Sequence, residues 1–151
     1  MRNPIASGVF YEMDFAKLNQ QIDMAFEQGP GTTPLEKRDN SIFAAVVPNL
    51  NYLQSAITLS WAYKEIAEAP QPVTYIILGA FSRPSDKILL SINDFSTPFG
   101  AIKNNRDLAN KLFDQDTIID EISHSSEFSI ELQLPFLQYV NKKDLNTLRI
   151  L

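Results

Sequence analysis

The 151 residues are 44% hydrophobic and 21% charged, with ten Phe, five Tyr and one Trp, a balance that supports one globular domain and excludes disordered and collagen-like classes. The net charge of −5 comes without a Lys/Arg cluster able to neutralise a row of phosphates, and no apolar run approaches the ~20 residues of a membrane helix, so nucleic acid and bilayer are not expected partners. There is no cysteine, which removes disulfides, thiolate nucleophiles, iron–sulfur clusters and thiolate zinc sites together.

The N-terminus, Met1-Arg2-Asn3-Pro4-Ile5, turns polar without an apolar secretory stretch, and a cytoplasmic location is expected. Asp14 is placed to cap a helix in which Phe15, Leu18, Ile22 and Phe26 recur at helical spacing, and Gly29-Pro30-Gly31 stops it. Residues 42–47 (Ile-Phe-Ala-Ala-Val-Val) form a continuous apolar run, as expected of a strand buried on both faces, and Pro48 ends it. A helix is expected over 55–67 through Trp61, Tyr63 and Ile66, with both aromatics packing a core, stopping before Pro70-Gln71-Pro72. Residues 73–78 (Val-Thr-Tyr-Ile-Ile-Leu) read as a second buried strand, followed by the loop Gly79-Ala80-Phe81-Ser82-Arg83-Pro84. Strand, helix, strand is a βαβ unit, so the two strands are expected to lie parallel and near each other in a central sheet with the helix on one face.

The second half continues the alternation. A strand is expected over 87–92, a turn at Thr97-Pro98-Phe99-Gly100, a helix over 105–113 and a strand over 117–119. A helix-like segment runs over 129–140, with Pro135 in its first turn or kinking it, and 147–151 reads as a strand beginning. The whole chain is expected to be one α/β domain with a largely parallel central sheet flanked by helices. Because it stops inside an apolar strand, it is expected to be truncated at its C-terminus.

In open parallel sheets, ligands bind beyond the carboxyl ends of the strands, here the loops Pro48-Asn49-Leu50-Asn51-Tyr52 and Gly79-Ala80-Phe81-Ser82. These loops and their flanks carry a resemblance. Met1-Arg2-Asn3-Pro4 followed by Gly8-Val9-Phe10-Tyr11, the turn Val46-Val47-Pro48-Asn49-Leu50-Asn51-Tyr52, the strand end Ile77-Leu78-Gly79, and the block Ser129-Ile130-Glu131-Leu132-Gln133-Leu134-Pro135-Phe136-Leu137 together resemble the Memo family in order and spacing. The resemblance covers nearly the whole chain, and the block from Ser129 is its most specific part. It implies an α/β sandwich related to class III extradiol dioxygenases, in which complete members are nearly twice this length, so the present chain would be an incomplete sandwich.

The departures bear on function. Where the family usually has His after the Pro of the first turn, this sequence has Asn49; three residues beyond the Gly of the second loop it has Ser82; in place of Glu-His before the block it has Glu127-Phe128. His124 remains, at a position that also holds His in many prokaryotic relatives. The resemblance therefore implies a degenerate cleft formed by Asn49, Asn51, Ser82, His124, Glu127 and Phe128, with Phe128 filling space an imidazole would occupy.

Catalytic iron or zinc sites use about three protein ligands drawn from His, Cys and carboxylates, and neutral amide or hydroxyl oxygens are poor replacements. Asp86, Asp94, Glu127 and Glu131 could contribute oxygens to a hard cation, but no DxD loop, HExxH or His–carboxylate pair is present, so neither metal nor cofactor is expected. His124 among Ser123, Ser125 and Ser126 reads either as a nucleophile beside its base or as a plain loop histidine. Glu127 and Glu131, four apart, read either as a paired-carboxylate site or as helix-capping and solvated charge. Two functions follow: a catalytically degenerate Memo-like domain that binds or supports, or a metal-dependent oxidoreductase or hydrolase completed by residues outside this chain. The expected partners are an unidentified small molecule and a protein or second copy that covers an abnormally apolar edge of the incomplete sheet.

Overall fold

The computed structural model describes residues 1–31, 38–39, 41–80, 85–141 and 149–151. Helix α1, Phe15–Gln28, begins where the Asp14 carboxylate accepts the Lys17 N–H at 3.0 Å, and ends where the Gly29 and Gly31 N–H groups return to the Phe26 carbonyl. It buries Leu18, Ile22 and Phe26, each worth roughly 1.5–3 kcal/mol of burial. Helix α2, Tyr52–Glu68, starts three residues earlier than expected because the Asn51 side chain caps it, accepting the Gln54 N–H at 3.1 Å. Its buried face carries Tyr52, Ser55, Ala56, Leu59, Tyr63 and Ala67. Trp61 was expected in the core with Tyr63 but is 56% exposed, because it continues the outer i, i+4, i+8 stripe of Leu53 and Ile57.

Strand β1, Ile88–Leu90, pairs in parallel with β4, Thr117–Ile119. Strands β2, Phe95–Thr97, and β3, Gly100–Asn104, form a hairpin around the expected turn, with Gly100 at a φ of 114°. β3 also pairs in parallel with β5, Arg149–Ile150. Helix α3, Arg106–Leu112, is capped by Asn105, and the short α4, Glu121–Ser125, by Asp120. The 129–140 segment becomes a 3-10 turn, Glu131–Gln133, running into α5, Leu134–Val140, with Pro135 in the first turn where its missing N–H costs nothing. The fold is thus mixed α/β, with two small sheets that combine parallel and antiparallel pairs, consistent with an incomplete sandwich. Among the described residues no helix is long and apolar enough to cross a membrane.

The two expected buried parallel strands do not form as such. Residues 42–47 belong to no strand and are largely exposed, and none of their backbone groups has a hydrogen-bond partner among the described residues. Residues 73–78 make a parallel bridge from Tyr75 to Ile150, extended by Leu151 N–H to Tyr75 O and Ile77 N–H to Leu151 O, yet Val73 and Leu78 stay exposed. An apolar β-branched run becomes a strand only where a neighbour supplies the ladder, and no strand among the described residues pairs with 42–47.

Three consecutive residues of the 3-10 turn hold the layers together. The buried Glu131 carboxylate accepts the Ile5 and Ala6 N–H groups at 2.9 and 2.8 Å and the Tyr11 hydroxyl at 2.9 Å, with the Arg2 guanidinium 3.6 Å away. The Leu132 carbonyl accepts the Tyr52 hydroxyl at 2.6 Å, and the Gln133 carbonyl accepts that of Tyr63 at 3.2 Å. Phe136 packs against Tyr52, Tyr63 and Phe26 with ring centroids 5.2, 5.3 and 6.2 Å apart.

Removing the Glu131 carboxylate would strand three donors and leave the Arg2 charge buried. Glu131→Ala is expected to lower unfolding free energy by about 3 kcal/mol, measured by urea titration. Burial raises the pKa values of Tyr11, Tyr52 and Tyr63 above the ordinary tyrosine value of 10.0, and the Glu131 charge adds to the effect at Tyr11. The unfolded chain therefore releases these protons first, so the associated stability is intact below about pH 10 and is lost as pH rises through the folded-state values. Thermal melts between pH 8 and 11.5 should show a plateau and then a fall that Tyr52→Phe makes shallower.

Candidate functional site

The site region is built from what packs around the start of the 3-10 turn. Gly79 makes its closest approach here: a Cβ at this position would lie 2.5 Å from Ser129 Oγ, 2.8 Å from Ile130 Cγ1 and 3.2 Å from Glu127 Oε2. The Ala80 N–H donates to Ser129 Oγ at 3.0 Å, so the loop after residue 78 is docked onto residues 127–130. Glu127 in turn accepts the Ser129 N–H at 2.5 Å and the Ile130 N–H at 3.5 Å. Glu127 thus serves as a local cap, and Glu131 is a buried anchor rather than a solvated charge, so the two carboxylates do not act as a pair.

His124 lies in α4, buried, with Nε2 3.0 Å from the Leu89 carbonyl of β1. A carbonyl only accepts, so Nε2 carries a proton toward it. His124 Nδ1 is buried without a partner among the described residues, as is Asn104 Oδ1, whose amide nitrogen donates to the Ser91 carbonyl at 2.8 Å. These two side chains share a task. Leu90 turns its carbonyl toward β4, accepting the Asp120 N–H, while the alternate carbonyls of Leu89 and Ser91 face the other edge of β1. His124 and Asn104 supply along that edge the donors a neighbouring strand would otherwise provide.

A cavity of about 710 Å³ lies between 76–79 and β1. Most of its wall is aliphatic, and His124, Glu127 and Asn104 are among its polar lining. The structure thus brings His124 and Glu127 to one cavity. Asn49, Asn51 and Phe128 do not line it. Asn49 is exposed on the turn, Asn51 is committed to capping α2, and the Phe128 ring packs on Phe10 at 4.5 Å between centroids. Ser82 lies outside the described residues. The hydroxyls of Ser123, Ser125 and Ser126 bond to the Asp120 carboxylate and to the Ile122 and Ser123 carbonyls, which leaves none of them bonded to the His124 ring. Asn104 carried no distinguishing sequence pattern, since its role depends on where β1 places the Ser91 carbonyl. The close approach at Gly79 had one signal, its position at the end of an apolar run.

Among the described residues no group of three or more His, Cys, Asp or Glu is placed to hold an ion, and the ring at 128 has no donor atom.

These features define a mixed α/β domain with a small-molecule-sized cavity beside a docked glycine loop. The model of the Memo-like protein family matches residues 2–151, and the chain belongs to that family. It is 34% identical over 151 residues to a MEMO1 family protein of Methanosarcina barkeri, covering 99% of this chain and 54% of that protein. It is 36% identical over 148 residues to one of Metallosphaera sedula, covering 91% and 52%. A relative from Saccharolobus islandicus is 35% identical over 164 residues, covering 99% and 56%. The chain spans about half the length of these relatives.

Because the Ser129, Ile130 and Glu127 side chains lie where a Cβ of residue 79 would go, Gly79→Ala should cost about 1–3 kcal/mol through displacement of the 127–130 turn. A urea titration checks this, and amide exchange of Ala80 should accelerate with it.

Proposed function

We propose that this chain is a catalytically degenerate Memo-like domain, a binding or structural module that does not carry out metal-dependent chemistry with its own residues. The observation that carries the reading is the donor set at the three positions where the family resemblance places imidazoles: Asn49, Ser82 and Phe128. An amide, a hydroxyl and a hydrocarbon ring cannot replace three strong donors held at fixed distances. The Phe128 ring is moreover engaged with Phe10, so it contributes to packing where an imidazole would contribute a lone pair.

A second reading is favoured by one observation. The buried His124 Nδ1 has no partner among the described residues and belongs to a residue lining the cavity, so a single ring nitrogen is available to a reaction completed by residues outside this chain. That reading is a metal-dependent oxidoreductase or hydrolase.

Calorimetric titration with ferrous, cupric and zinc ions separates the two. The unaltered chain is expected to show no tight, stoichiometric binding of any of them, and the triple variant Asn49→His, Ser82→His and Phe128→His is expected to gain measurable affinity. Tight one-to-one binding by the unaltered chain would overturn the degenerate reading.

A further inference from the structure

We draw no further inference here: the strongest candidate, the largely aliphatic cavity between 76–79 and β1 whose lining includes His124 and Asn104, belongs to the site already described, and nothing in the structure shows what occupies it.

Discussion

The carboxylate of Glu131 and the two residues after it form the junction on which the structure depends. A 3-10 turn leaves backbone carbonyls imperfectly used by its own hydrogen bonds, and here those of Leu132 and Gln133 receive the hydroxyls of Tyr52 and Tyr63 from α2. Glu131 gathers the N-terminal segment through Ile5, Ala6 and Tyr11. A buried charge is tolerable only when its lone pairs are filled, and three donors with a nearby guanidinium do that. Arg2 itself lies over the Phe95 ring at 4.9 Å, which carries the tie from the N-terminus into the β2–β3 hairpin.

This junction fixes the surroundings of the site. Once 129–139 is buried, the residues just before it have little freedom: Phe128 faces Phe10, Glu127 turns back to cap Ser129 and Ile130, and Gly79 must be a glycine to pass. The residues that hold the scaffold retain the pattern of the resemblance, while the positions it assigns to imidazoles carry an amide, a hydroxyl and a hydrocarbon ring.

The sheet edges show the opposite condition. β1 completes its second edge with side chains, His124 and Asn104 donating to alternate carbonyls, and leaves one acceptor on each of them unused. Residues 42–47 have no such substitute among the described residues. Side chains can satisfy one or two carbonyls of an edge, but a six-residue run needs another strand.

Local chemistry was legible in the sequence wherever a residue acts on its own neighbours. The Asp14 cap, the glycine stop after α1, Pro135 in the first turn of α5, the Asn105 to Phe113 helix and the 117–119 strand all follow from interactions within a few residues. The resemblance likewise marked the block from Ser129 and the candidate residues His124 and Glu127. Only the tertiary structure decided whether 42–47 has a ladder, that Trp61 faces outward while Tyr63 faces in, and that Glu131 is an anchor rather than a surface charge. It alone made Asn104 part of the cavity wall. Strand pairing and the burial of a charge depend on groups more than a hundred residues away in sequence, as Ala6 is from Glu131, and no local pattern records where such partners will be.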